Sequence, residues 1–200
     1  AKSINGSIFQ ETGLIRPAIS EPNKAFSDKR IEKIPQRFEA DLKEIIETLQ
    51  KDKKFLILVG SVGNELFPPY FSKYSSASSI NKVTLLNNKI HNVENNMKNK
   101  NFQLAKKQLK EILIEEPKHS YANFLMGKID MYSGKVESSW SYFEKAVDED
   151  GFPHRSLSKI NLISKNLAEK NKDKVIYIDF PKVVRKLLSD DPSNNSIFVD

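Results

Sequence analysis

Residues 86–153 carry two successive copies of a helical pattern about 34 residues long, and this repeat restricts the fold more than any other feature. The second copy is the clearer one, and its small and aromatic positions are Ala122, Gly127, Gly134, Phe143 and Ala146. The first copy has, in the same register, Phe102, Ala105, Leu109, Ile112 and Pro117. Because small side chains let antiparallel helices approach closely, the pattern predicts two stacked helical hairpins.

This pattern resembles the tetratricopeptide (TPR) repeat, in which each repeat is a pair of helices and successive pairs stack. TPR arrays usually bind a protein or peptide partner in a concave groove. The resemblance implies groove positions at Phe124, Asp130 and Tyr142. About three repeats are needed to bury a continuous core, so two repeats should lean on a neighbouring element. The helix predicted over Leu157–Ala168 is the nearest candidate.

Each flank of the repeat shows a helical pattern followed by a short apolar run. Such a run is typical of a strand that is buried on both faces of a parallel sheet. We therefore expect an α/β fold with a parallel sheet, interrupted by an all-α TPR-like insertion. The sequence predicts four segments: an irregular stretch over 1–35, an α/β part over 36–80, the repeats at 86–153 and a second α/β part over 154–200. The first α/β part has a helix from Gln36 and a strand at 55–60. The second has a helix at 157–170, a strand at 174–180, a helix at 181–190 and a strand at 197–200.

Composition excludes several classes of function. The 32 basic and 26 acidic residues give a net charge of +6, and the excess is spread along the chain. Nucleic-acid binding usually needs a concentrated basic face, so we expect no nucleic-acid partner. The absence of cysteine excludes disulfides and thiolate metal sites. No apolar run is long enough to predict a membrane span, and the N-terminus lacks the apolar core of a signal peptide.

The sequence contains no self-contained catalytic motif. It has no Gly-x-Ser-x-Gly elbow, no phosphate-binding glycine loop and no His-Glu-x-x-His helix. Because a metal ligand or general base needs convergent partners, we interpret His91, His119 and His154 as surface or capping residues. No cofactor and no metal are predicted.

The exit of the first predicted strand, "FLILVGSVGNELFPPYFSKY", is unusual for a simple strand end. Asn64 lies there between Gly63 and Glu65, and a double proline follows. Ligand sites of open parallel sheets lie at the carboxyl ends of the strands, so Asn64 is a candidate site-lining residue. An asparagine selected for a tight turn beside a glycine explains the same pattern, and the sequence leaves both interpretations open.

The order of these segments resembles a bacterial family of SGNH/GDSL-type hydrolase-like proteins that carry TPR helices within the hydrolase domain. The matching residues are Asn64, Phe67, Pro68, Pro69, Phe71, Phe152, Arg155, Ser158, Asn161 and Asp200. The resemblance covers roughly residues 36–200 and implies a flavodoxin-like sheet and ester hydrolysis or acyl transfer, often on O-acylated carbohydrates. It also implies that Asp200 is the acid of a Ser-His-Asp triad.

In that family the nucleophilic serine lies in an N-terminal block, and the histidine follows the aspartate by three positions. Neither residue has a counterpart here, and Val62 and Gly63 depart from the family's pattern. We therefore expect a C-terminal part of a longer protein, inactive by itself, whose parent is compatible with export or with membrane anchoring through an upstream region. The alternative is a TPR-type protein–protein interaction module with no catalytic role.

Overall fold

The computed structural model describes residues 28–74 and 80–190. The elements are α1 (Asp28–Lys51), β1 (Leu56–Val59), α2 (Ile80–Lys98), α3 (Phe102–Glu115), α4 (Ser120–Tyr132), α5 (Val136–Asp148), α6 (Ser158–Lys170), β2 (Val175–Ile178) and α7 (Phe180–Asp190). The strand predicted at 197–200, with Asp200, lies outside the described residues. So does the part of the predicted irregular segment that precedes Asp28. None of the described helices is long and apolar enough to cross a membrane.

The described fold is mostly helical, and its sheet consists of two short strands. β1 and β2 are parallel neighbours, and the register pairs Leu56 with Val175 and Val59 with Ile178. All of α2 to α6 lies between the two strands in the chain, so the helical region is an insertion between paired strands. The α/β character is therefore limited, within the described residues, to this one strand pair and the helices next to it.

Helix α1 begins earlier than the sequence pattern predicts. The expectation of irregular structure up to residue 35 is wrong from Asp28 onward, because the helix runs through Pro35. A proline removes one backbone hydrogen bond and usually marks a helix boundary. Here the apolar stripe continues on its N-terminal side, where Ile31 is buried, so burial of this face outweighs the proline.

The helices α2 to α5 pack consecutively around one core, and Gly127 lies where α4 contacts α5. A Cβ atom added at Gly127 would lie 2.7 Å from the Phe143 ring, so α4 and α5 can meet this closely only with glycine there. Two further buried side chains, Val184 and Leu188, come from α7. The predicted contact with α6 is present, because α5 contacts α6 and Asp148 accepts hydrogen bonds from Ser158. The prediction missed α7, which supplies buried apolar side chains to this core, whereas α6 supplies none among the described residues.

A second core joins α1 and α6 to one face of the sheet. Leu42 and Ile46 of α1 pack there with Ile163 and Leu167 of α6 and with Val175 of β2. This explains why the two flanks come together although the insertion separates them in the sequence.

On the opposite face of the sheet the side chains of both strands are exposed, and no element among residues 28–74 and 80–190 covers them, which contradicts the expected burial on both faces. Ile57, Val59, Ile176 and Ile178 are 60%, 57%, 55% and 44% exposed. Burial of one such side chain contributes about 1.5–3 kcal/mol, so covering this face would stabilise the fold further.

Candidate functional site

A cavity of about 280 Å³ lies at the carboxyl ends of both strands. Ser61 and Gly63, which follow β1, line it together with Tyr177 and Asp179 at the end of β2. Helices α5, α6 and α7 supply the remaining walls. This is the edge of a parallel sheet at which ligands usually bind, and the short loops after the strands place their polar groups there.

Asn161 joins the exit of β1 to the first turn of α6. Its Oδ1 accepts a hydrogen bond from the Ser61 N–H, and its Nδ2 donates to the Ser61 carbonyl oxygen, both at 2.8 Å. One amide side chain thus satisfies both backbone groups of a residue that has just left the sheet. The pair fixes one corner of the cavity.

Arg185 of α7 forms an ion-pair network in the same cavity. Its guanidinium donates to both carboxylate oxygens of Glu65, at 2.9 and 2.7 Å, and to Glu144 Oε2 at 2.7 Å. Burial raises the pKa of Glu65, against the opposing effect of Arg185. Burial also acts to lower the pKa of Arg185, but the two carboxylates outweigh it, so the pKa is raised. Arg185 therefore serves to hold α5, α7 and the loop after β1 together, and it is not a free anion-binding group.

Arg155 and Asp150 form a second, more deeply buried pair. Arg155 Nη2 donates to Asp150 Oδ2 at 3.2 Å, and Arg155 Nη1 donates to the carbonyl oxygens of Asn64 and Phe67. Asp150 also accepts hydrogen bonds from the backbone N–H groups of Tyr70, Phe71 and Phe152. A Cβ atom at Gly63 would lie 3.2 Å from Arg155 Cβ, so glycine permits this close approach. The pair ties the loop after β1 to the segment before α6.

Asn64 lies next to the cavity, but its side chain forms a hydrogen bond within its own loop. Its Oδ1 accepts a hydrogen bond from the Leu66 N–H at 3.2 Å, which is the geometry of an asparagine turn. Ser61, Gly63 and Glu65, its neighbours, line the cavity. This contact favours the turn interpretation of Asn64, and the loop contributes to the site through the flanking residues.

The predicted groove positions lie mainly in the interior. Phe124 is 4% exposed, with its ring 5.7 Å from that of Phe143. Asp130 is 1% exposed, is ion-paired with Lys106 and accepts a hydrogen bond from Ser138. Tyr142 is half-buried. Phe124 and Asp130 therefore present no surface to a partner, because they stabilise the helical core.

A second cavity, of about 590 Å³, lies between the segment 69–74 and helices α2 and α4. Ser72 Oγ accepts a hydrogen bond from the Tyr121 N–H, and the Tyr74 hydroxyl donates to Asn87.

His119, which also lines this cavity, caps α4, because its Nδ1 accepts a hydrogen bond from the Ala122 N–H. This agrees with its interpretation as a capping residue. Its burial was not expected, and it lowers the pKa of His119 to about 4.

Sequence patterns missed the network of Arg185, Glu65 and Glu144, whose three members come from three separate segments. The one available signal was the pair Glu144 and Asp148, which lie one helical turn apart on α5 and both line the cavity. Burial raises the pKa of Asp148, whose carboxylate accepts from the Ser158 hydroxyl and N–H.

Within 28–74 and 80–190, no histidine ring is hydrogen-bonded to a serine hydroxyl, so these residues form no nucleophile–base pair. The described part of the chain also contains no cluster of histidine and acidic side chains that could hold a metal ion.

Comparison of the chain with protein-family models, with characterised proteins and with solved structures found no match.

Proposed function

We propose that residues 36–200 are the C-terminal part of an ester-hydrolysing or acyl-transferring protein of SGNH type, with TPR-like helices inserted into its α/β domain. The observation that carries this proposal is the meeting of the two segments on which the sequence resemblance rests. Asn161 contacts Ser61, and Arg155 contacts the carbonyl oxygens of Asn64 and Phe67. About ninety residues separate these segments in the chain, yet they form one wall of the cavity.

The parallel pairing of β1 and β2 supports the same proposal. Parallel sheets normally have helices on both faces and bind ligands at the carboxyl edge. Here one face carries α1 and α6, and the polar cavity lies at that edge. A flavodoxin-like sheet would extend this arrangement with further strands and helices.

The cavity lining fits a substrate rich in hydroxyl groups. Ser61, Asp148, Ser158 and Asp179 offer hydroxyl and carboxylate groups, and Tyr177 adds an aromatic wall. Sites of this kind combine an apolar wall with a few placed polar groups that orient the ligand. This agrees with an O-acylated carbohydrate, the substrate class that the resemblance implies.

In this proposal the chain supplies part of the site, and the reaction needs groups beyond it. A serine would attack the acyl carbon, a histidine would take the serine proton, and Asp200 would hold the imidazole and stabilise its charged form. An acid in this role cannot catalyse acyl transfer by itself. The 200-residue chain is therefore expected to be inactive.

Hydrolysis of p-nitrophenyl acetate tests the proposal. We expect background rates from the 200-residue chain and turnover from the full product of its gene, reduced on the order of ten-thousandfold by Asp200→Asn. Asp190→Asn, at the exposed end of α7, is the matched control and should leave turnover unchanged. A gene that encodes no serine block upstream and no histidine after Asp200 would refute the proposal. Turnover by the 200-residue chain that depends on a residue within it would also refute it.

The cavity between 69–74 and helices α2 and α4 favours a second candidate function, peptide binding by the helical insertion. Tyr70, Tyr74 and Tyr121 line it and suit an extended peptide with apolar side chains. A displayed random-peptide library would test this candidate. Enriched peptides should lose binding to Tyr121→Ala and keep binding to Tyr132→Ala, whose site is exposed on α4 away from this lining. Failure to enrich any peptide, or equal loss in both variants, would count against it.

A further inference from the structure

The two guanidinium groups in the lining of the cavity at the carboxyl ends of the strands are already bound by acceptors of the protein. Arg185 donates to both carboxylate oxygens of Glu65 and to Glu144. Arg155 donates to Asp150 and to two backbone carbonyl oxygens of the loop after β1. The Nε of Arg155 donates to no described acceptor, but this atom is completely buried, so a ligand in the cavity does not reach it. A carboxylate of the protein therefore already neutralises each guanidinium.

The amino ends of α6 and α7, which lie at this cavity, are occupied by carboxylates in the same way. The partially positive first turn of a helix attracts anions. At α6 the Ser158 N–H donates to Asp148 at 2.8 Å, and the Ser158 hydroxyl donates to the same carboxylate. At α7 the Asp179 carboxylate accepts from the Lys182 N–H at 3.2 Å. Both carboxylates line the cavity, and they occupy the positions at which an anionic ligand would otherwise bind.

The cavity carries more negative than positive charge. Four carboxylates line it, and a fifth, that of Asp150, pairs with Arg155. The basic side chains in the lining are Arg155, Arg185 and the exposed Lys165, so five carboxylates against three basic groups leave a formal charge of −2. An ion pair of a ligand with the exposed Lys165 would contribute little, because solvent screens it.

Two of the lining carboxylates show the effect of this imbalance. Burial raises the pKa of Glu65 and of Asp148, and the negative charge of Glu144 acts in the same direction on both. A further anion in the cavity would add to this electrostatic cost. A hydroxyl or ammonium group that donates to the same oxygens would reduce it.

We propose that this cavity selects carbohydrates by charge, so that it binds a sugar that is neutral or carries an ammonium group and rejects a sugar that carries a carboxylate. The inference rests on the proposed function and narrows its substrate class. Sugar hydroxyl groups donate hydrogen bonds to carboxylate oxygens, which suits the acceptor-rich lining. Asp179 contributes most directly to the selection, because it is exposed, whereas the other three lining carboxylates are partly buried.

Nuclear magnetic resonance titration of the 200-residue chain with three methyl glucopyranosides that differ only at C6 tests this inference. The group at this carbon is a hydroxymethyl, an aminomethyl or a carboxylate group. At low salt the carboxylate form should bind at least about tenfold more weakly than the hydroxymethyl form, and salt should reduce the difference. The aminomethyl form should bind at least as tightly as the hydroxymethyl form. Equal or tighter binding of the carboxylate form would overturn the inference alone, whereas the absence of saturable shifts with all three would refute the ligand site and the inference with it.

Charge variants of α7 assign the selection to the cavity. Asp179→Asn removes one negative charge but keeps a residue type that caps helices well, so α7 should remain folded. It should narrow the difference between the carboxylate and hydroxymethyl forms from about tenfold to about threefold. Asp190→Asn, at the exposed C-terminal end of α7, is the matched control and should leave the difference unchanged. Circular dichroism verifies folding, and an unchanged difference in folded Asp179→Asn, or an equal narrowing in Asp190→Asn, would contradict the proposal.

Discussion

Asn161 and Ser61 form a two-point contact, in which the asparagine amide both accepts from and donates to the backbone of the serine at 2.8 Å. The two residues are separated in the chain by helices α2 to α5, and their contact connects the exit of β1 to α6. Because the carboxyl ends of both strands meet there, this single side chain holds together the corner on which the proposed site depends.

Asn161→Ala should destabilise the chain by about 1–2 kcal/mol, since it removes two hydrogen bonds and leaves the Ser61 backbone groups without these partners. Urea unfolding followed by circular dichroism measures the free energy of unfolding. Asn166→Ala, at an exposed position on the same helix, is the matched control. Equal effects of the two substitutions would show that the contact contributes nothing.

Gly127→Ala should destabilise the helical core by about 1–3 kcal/mol, because its Cβ would clash with the Phe143 ring. Phe143→Leu, which is destabilising by itself, should reduce the additional cost of Gly127→Ala. A double-mutant cycle on the free energy of unfolding would measure this coupling. Strictly additive effects would argue against the close contact of α4 with α5.

Asp150→Asn should cost about 3–5 kcal/mol, because it leaves the guanidinium of Arg155 buried without its counter-charge. Replacement of both partners, by Asp150→Asn with Arg155→Met, should be less destabilising than the sum of the two single substitutions. Thermal and urea unfolding would report the difference. An additive result would mean that the two charges stabilise the fold independently.

The buried His119 should make stability depend on pH between about 4 and 6.5. Burial lowers its pKa from 6.5 to about 4 in the folded chain, so in this window the unfolded chain binds more protons. The contribution is therefore complete above pH 6.5 and decreases as pH falls, by up to about 1.4 kcal/mol per pH unit.

His119→Asn isolates this effect, because asparagine also caps a helix but does not titrate. The difference in the free energy of unfolding between wild type and variant should be constant above pH 7 and shift against the wild type toward pH 4. The raised pKa values of Glu65 and Asp148 affect both chains and cancel in the difference. A pH-independent difference would contradict the buried, neutral state of His119.

Apolar periodicity predicted the helices of the insertion, because their residues pack on helices that are neighbours in the chain. Two short apolar runs predicted the strands, which pair across the insertion. It failed where a distant contact decides the outcome. Pro35 indicated a helix boundary, yet burial of Ile31 extends α1 past it. Likewise, an apolar run such as β1 indicates a strand but does not reveal whether one face or both are covered.

Sequence patterns predicted less of the candidate site than of the fold. The exit of β1 drew attention to Asn64, while the cavity is lined by its neighbours and by Arg185, more than a hundred residues away. Phe124 and Asp130 were predicted to face a groove, but they complete a core and an ion pair. Only tertiary packing determines which polar residues converge.

Nuclear magnetic resonance titration of the 200-residue chain with methyl 6-O-acetyl-glucopyranoside tests whether the cavity at the carboxyl ends of the strands is the ligand site. If it is, backbone amide shifts should concentrate at Ser61, Gly63, Arg155 and Asn161, and Asn161→Ala should abolish them. Shifts that concentrate instead around Asn87 and Tyr121, or no saturable shifts at all, would contradict it.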